Sequence, residues 1–241
     1  MLDSTKVVGI IAAGGTGSRL GISGGKQLAP IAGKPTVAWA TQAICDIPDV
    51  DEIIVVCDPN RIEEFLEEVL PHISCVKPLL FVPGGDTRTQ SVLNGLGAIE
   101  GSEDDKSNIV VLIHDGARPL ATSQMMKAAL QTFVMSEDAD GVVVGHASSD
   151  TLKRVEHMRI IDTPQRSDYW MVQTPQIFPL DTLLAAYEYA QERGIHATDD
   201  SSLVEAAGYT VIMHEGPRDN IKVTRPEDLA VVEAALMARR S

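Results

Sequence analysis

Short apolar runs alternate along this chain with longer segments whose apolar residues recur every three or four positions. The first run begins at Val7 and is β-branched; 52–57 is a short continuous apolar strand of the type buried on both faces in a parallel sheet, and 79–82, 109–113 and 141–145 read as further strands. Between them the helical period is clear. Val37, Ala40 and Ile44 share a face behind Pro35, and Ile62, Phe65, Leu66, Val69 and Leu70 form a stripe behind Asp58-Pro59, read as N-cap and first helical residue. Val92, Leu93, Leu96 and Ile99 follow the turn 83–86, and a further helix is predicted over about 123–134. This β-α rhythm predicts an α/β fold, a doubly wound and mostly parallel sheet with helices on both faces.

The rhythm breaks between His146 and Phe178. Segments 150–154 and 159–163 read as two short polar strands around a turn, too poor in apolar residues to form a core and in need of something to lean on. Beyond them, Thr198 or Asp199 caps a short helix and 209–214 reads as a strand. Thr224-Arg225-Pro226-Glu227 matches a capping box that opens the last helix. There is no internal repeat and no low-complexity linker.

Length and composition add limits. With 241 residues and 44% hydrophobic content the chain can bury a full core. No apolar run approaches the ~20 residues of a membrane span, and the charged N-terminus lacks a signal peptide's apolar region. A cytoplasmic protein without a membrane partner is therefore expected. Cys45, Cys57 and Cys75 lack metal-type spacing and read as buried fillers. A net charge of −14 opposes a nucleic-acid backbone, so none is expected as a partner. The same charge repels small anions, so a phosphate site would need local clusters of Arg and Lys beside glycines.

Three strand-to-helix loops supply such clusters. The first runs Ala12-Ala13-Gly14-Gly15-Thr16-Gly17-Ser18-Arg19-Leu20 and continues to Lys26. Small residues let a ligand reach the backbone N–H groups, and Arg19 and Lys26 add charge. Leu20 stands where a dinucleotide fingerprint needs a small residue, and Gln27 stands where a P-loop needs a hydroxyl. The second loop, Gly84-Gly85-Asp86-Thr87-Arg88, reads either as a ligand loop or as a helix capped by Asp86 with Arg88 exposed. In the third, Asp115-Gly116-Ala117-Arg118-Pro119, Asp115 follows an apolar strand, where a carboxylate can hold a divalent cation against phosphates or simply form a turn. His114 points away from Asp115 by strand alternation and is assigned a structural role.

Taken in order, these loops with Gly85-Asp86-x-Arg88-x-x-Ser91-Val92, His114–Pro119, Asp150-Thr151-Leu152-Lys153, Gln173-Thr174-Pro175-Gln176, Thr198-Asp199-Asp200 and Asn220-Ile221-Lys222-Val223-Thr224 resemble the 2-C-methyl-D-erythritol 4-phosphate cytidylyltransferase family. The resemblance covers nearly the whole chain. It implies a Rossmann-like single domain over 1–241, with a protruding β-arm at about 146–168 that builds a homodimer. It implies a nucleotidyltransferase of isoprenoid biosynthesis by the non-mevalonate pathway, acting on CTP and a polyol phosphate with Mg²⁺ and releasing pyrophosphate. By the same resemblance Arg19, Lys26 and Lys222 are catalytic. Ala12, Ala13, Gly14, Gly15, Thr16, Gly17, Gly85, Asp86, Arg88 and Ser91 bind nucleotide. Asp115 holds the metal, and Asp115, Arg118, Thr151, Arg166, Thr174 and Lys222 lie around the sugar phosphate, those on the arm reaching the neighbouring subunit's site. A ribitol-5-phosphate cytidylyltransferase is the alternative. Gly25 stands where the family usually has Pro, an aromatic residue usual near Leu28 is missing, and Gly116 replaces a common Ala.

Overall fold

The computed structural model describes residues 5–15, 25–100 and 108–239. Arg19, Thr16 and Gly17 therefore lie outside the described residues. Strands β1 (Lys6–Ala12), β4 (Glu52–Cys57), β5 (Leu79–Pro83), β6 (Ile109–Asp115), β7 (Gly141–Ala147), β10 (Trp170–Pro179) and β11 (Val211–Glu215) form one sheet in the order β11-β7-β10-β6-β1-β4-β5. Only β10 runs antiparallel to its neighbours β6 and β7. The expected doubly wound, mostly parallel sheet is present.

Alternation along the central strands divides the core. Val7 and Ile11 of β1, Ile53 and Val55 of β4, and Val110 and Leu112 of β6 pack on one face, beneath α2 (Thr36–Cys45), α3 (Ile62–Val69) and α5 (Ser123–Met135). Val8, Ile10, Ile54, Val56, Val111 and Ile113 pack on the other, with α4 (Arg88–Glu100), α6 (Leu180–Arg193) and α7 (Asp200–Ala206). A smaller cluster joins Ile31, Leu120 and Val223 to α8 (Pro226–Ala238). Between β1 and α2 lie α1 (Gly25–Leu28) and a two-residue hairpin, β2 (Pro30–Ile31) with β3 (Lys34–Pro35). Cys45 and Cys57 are buried and Cys75 is half-buried, all as free thiols.

Several predicted boundaries move. The helix after Asp58-Pro59 begins at Ile62, because Asp58 Oδ1 accepts from the Asn60 N–H and closes a separate turn first. Thr87, not Asp86, caps α4: its hydroxyl accepts from the Gln90 N–H at 3.0 Å. Arg225 rather than Thr224 is the N-cap of α8, and Asp228 rather than Glu227 accepts from the Thr224 and Arg225 N–H groups. The predicted cap Asp199 of α7 does accept from the Ser202 N–H.

Sequence periodicity missed β10 and α6. β10 is irregular between Val172 and Gln176, and its run of Gln173, Thr174, Pro175 and Gln176 hides a strand whose polar residues are buried. A hairpin is present, but its first strand is β8 (Arg154–Glu156) rather than 150–154; it pairs antiparallel with β9 (Arg159–Asp162), and every residue of both strands is exposed. It is less polar than its pattern suggests, since Val155, Met158, Ile160 and Ile161 are all exposed.

Candidate functional site

β1 is paired with β4 on one side and β6 on the other, so the sheet reverses its winding beside β1. In such folds the crevice beyond the carboxyl ends of the strands at this reversal is the ligand site. Register places Ala12 opposite Asp115 there. The chain turns sharply after each strand, and the loops after β1 and β5 come together. A Cβ on Gly14 would meet Ser91 Oγ at 3.0 Å and Gly84 Cα at 3.7 Å, so only a residue without a side chain fits this contact comfortably. Ser91 Oγ accepts from the Gly85 N–H at 3.1 Å and donates to Thr87 O at 2.9 Å, which fixes the second loop against the first.

Two cavities open from this crevice. The first, about 450 Å³, is lined by Ala12, Gly14, Gly15 and Lys26, by Gly84 to Arg88 with Ser91, and by Asp115 and Lys222. Asp58, Pro59, Asn60, Gln27 and Ala117 complete it; the sequence pattern pointed to no ligand role for these. The second, about 420 Å³, is lined by Arg118, Thr174, Gln173, Gln176 and the start of α7, and again by Arg88, Asp115 and Lys222. Those three residues are the shared wall. Ala13, within the first loop and expected to bind nucleotide, is buried and lines neither cavity.

The shared wall is a charge cluster with a carboxylate at its centre. Lys222 Nζ lies 2.8 Å from Asp115 Oδ2, Arg118 Nε 3.4 Å from the same oxygen and Arg88 Nε 3.5 Å from Oδ1. Burial opposes ionisation of Asp115, but Lys222, Arg88 and Arg118 outweigh it and hold the carboxyl well below its usual range. Arg88 is not the exposed side chain that one reading of its loop allowed: its Nη2 also lies 2.7 Å from Asp200 Oδ2. Three cations thus face two carboxylates at this wall, while Asp58 and Asp86 line the first cavity farther out and Asp199 and Glu205 the second.

A second layer fixes these groups. Arg118 Nη1 donates to Asn220 O at 2.7 Å, and Asn220 Nδ2 donates to Gln173 Oε1 and Thr174 O. The Val223 N–H donates to Ala117 O at 2.8 Å, so the loop carrying Lys222 is tied to the loop after β6. Thr174 Oγ1 accepts from the Asp115 N–H at 3.0 Å and lies 2.9 Å from His114 Nδ1. His114 lies on the opposite face from Asp115, as alternation requires, and complete burial pushes its pKa down to about 4. It is neutral near pH 7 and lines neither cavity.

Among the described residues no group of three or more His, Cys, Asp or Glu could hold a metal alone. Asp115 nevertheless suits a magnesium ion that arrives with phosphates, since that ion commonly takes one or two carboxylates and fills its shell with phosphate oxygens and water. Thr151 and Arg166 line neither cavity. Both are exposed on the arm, where Arg166 Nη1 donates to Ser149 O at 2.9 Å.

Two cavities that share a cationic wall at the reversal of a Rossmann-like sheet, one of them floored by glycine loops, define a nucleotidyltransferase. Residues 7–238 match the 2-C-methyl-D-erythritol 4-phosphate cytidylyltransferase family, and the chain belongs to it. A relative of that name from Caldanaerobacter subterraneus subsp. tengcongensis is 39% identical over 95% of this chain and 98% of its own length. Another, from Geotalea uraniireducens, is 37% identical over 98% and 99%. The crystal structure of 4-diphosphocytidyl-2C-methyl-D-erythritol synthase from Anaerococcus prevotii superposes with a TM-score of 0.82 at 26% identity, covering 98% of both chains. That of the cytidylyltransferase from Thermus thermophilus gives 0.74 at 28%, covering 95% of this chain and 98% of the other.

Proposed function

We propose that this enzyme joins CTP to 2-C-methyl-D-erythritol 4-phosphate, giving 4-diphosphocytidyl-2-C-methyl-D-erythritol and pyrophosphate. The observation that carries the reading is the pair of cavities meeting at Arg88, Asp115 and Lys222. CTP fits the glycine-floored cavity and the polyol phosphate the other, so that one cationic wall touches both reacting phosphates. Family membership favours this substrate over ribitol 5-phosphate.

In this reaction a phosphate-monoester oxygen of the polyol attacks the α-phosphorus of CTP. A new P–O bond forms as the bond from the α-phosphorus to the bridging oxygen breaks, and pyrophosphate leaves with that electron pair. The monoester's second pKa lies near 6, so the nucleophile is already ionised and no general base is needed. The barrier is anion–anion repulsion and charge growing on the leaving group. Positioned cations lower both. Lys222 and Arg88 face the meeting point, Lys26 lines the nucleotide cavity, and the family resemblance adds Arg19. Gly85, Asp86 and Ser91 fix base and ribose; Thr174 and Arg118 hold the wall of the second cavity. A divalent cation on Asp115 would neutralise triphosphate charge.

The single domain carries its arm to a second copy of the chain. Val155, Met158, Ile160 and Ile161 are exposed on the hairpin, with Tyr169, Met171 and Val172 at its base, an apolar surface of the kind that a twofold partner covers. Thr151 and Arg166 would then complete the partner's sugar-phosphate site. No helix among the described residues is long and apolar enough to cross a membrane. The reading places the enzyme in the cytoplasm, where CTP is made and used. Pyrophosphate release is measured with CTP and each of the two polyol phosphates side by side. Rapid release with the methylerythritol phosphate and slow release with ribitol 5-phosphate is expected; the reverse order, or no release with either, overturns the proposal.

A further inference from the structure

Arg88 is the hinge between the two cavities, and its position is set from behind. Its guanidinium lies 2.7 Å from Asp200 Oδ2 but 3.5 Å from Asp115 Oδ1. Asp200 is only 1% exposed. Its other oxygen accepts from the Tyr187 hydroxyl at 2.6 Å, and its N–H donates to Gln176 Oε1 at 3.1 Å. Tyr187 is itself buried, on the inner face of α6. Neither Asp200 nor Tyr187 lines a cavity, so neither can touch a substrate held there. A buried carboxylate braced by a phenol, on a backbone held by a strand glutamine, is costly to keep, and a core serving packing alone would fill this volume with apolar atoms.

We propose that Asp200, braced by Tyr187, is a positioning residue that draws Arg88 away from Asp115 and holds its guanidinium at the seam of the two cavities. The inference rests on the functional reading above. Without the Asp200 charge, Asp115 is the carboxylate with which Arg88 is still paired among the described residues. A closed arginine–carboxylate fork would form there, with both N–H donors spent on Asp115 rather than on phosphates. Asp200 thus engages Nη2 and leaves Nε only at 3.5 Å from Asp115 Oδ1, which keeps the two-bond fork on Asp115 from closing over the seam.

The test is a double-mutant cycle in the full-length protein, with steady-state kinetics for both substrates and a thermal melt of every variant. Asp200→Asn keeps size and loses charge; kcat/KM should fall on the order of 10- to 100-fold, with KM rising for both substrates because Arg88 faces both. In an Arg88→Gln background the same change should cost less than about twofold, since the group it acts through is gone. Tyr187→Phe, a milder loss of the brace, should show the same dependence on Arg88, and carries the test alone if Asp200→Asn does not fold. Losses that multiply independently of Arg88, or that track the melting temperature, overturn the positioning role while the functional reading stands. A wild-type enzyme that releases no pyrophosphate overturns the functional reading instead.

Discussion

Replacing Lys222 with Met should separate catalysis from stability. The ammonium lies 2.8 Å from Asp115 Oδ2. At an effective dielectric of about 20 the gross attraction at that distance is about 6 kcal/mol, and Arg88 and Arg118, at 3.5 and 3.4 Å, each add about 5. Lys222 has a side chain 34% exposed, so water screens its share, and two of three partners remain after the change. Asp115 is therefore not left as an uncompensated buried charge, the case that costs about 3–5 kcal/mol. A net loss of about 1–2 kcal/mol is expected, or roughly 2–8 °C of melting temperature for a chain of this size. Catalysis has no such reserve. If Lys222 contacts charge that develops only in the transition state, kcat should fall on the order of 10²- to 10³-fold. The assay is pyrophosphate release at saturating substrates, beside a thermal melt. A folded Lys222→Met enzyme within about threefold of wild-type kcat would refute the reasoning and leave Lys222 a structural counter-charge.

His114 offers a pH prediction. Complete burial lowers its pKa to about 4, against about 6.5 when unfolded. The unfolded chain then binds the proton more readily, so stability is fully present above pH 6.5 and is lost as pH falls toward 4, by about 3 kcal/mol in all. Urea unfolding from pH 7.5 to 4.5 should show this slope in wild type and a shallower one in His114→Gln; equal slopes exclude His114 as its source. For the arm, mixing inactive Lys26→Ala and Arg166→Ala dimers should restore roughly a quarter of sites after subunit exchange, because half the dimers are mixed and each mixed dimer has one intact site. Activity that stays at baseline after exchange is confirmed by mass spectrometry places Arg166 in its own subunit's site or in none.

Local patterning was sufficient for much of the scaffold. The continuous apolar run of β4 marks a strand covered on both faces that begins and ends where the run does, at Glu52 and Cys57, whereas β5, from a similar run, lies at the sheet edge with Leu80 exposed. The three strand-to-helix loops stood out for the same reason, as small residues and charges directly after a strand, and their described parts line the first cavity. Charge pairing was not readable. Arg88, Asp115 and Lys222 come from distant parts of the chain, and the sheet order with the ties from Val223 to Ala117 and from Arg118 to Asn220 brings them together. The partner of Arg88 was equally hidden, because Asp200 lies far along the chain and reaches it only when α7 packs on the α4 face of the sheet. β10 was missed because its buried polar residues break the apolar alternation by which strands are recognised; Thr174, Gln173 and Gln176 are tolerated there by hydrogen bonds to Asp115, Asn220 and Asp200. Periodicity reports which residues avoid water. Which buried polar groups satisfy one another depends on contacts between elements, and those exist only once the sheet has assembled.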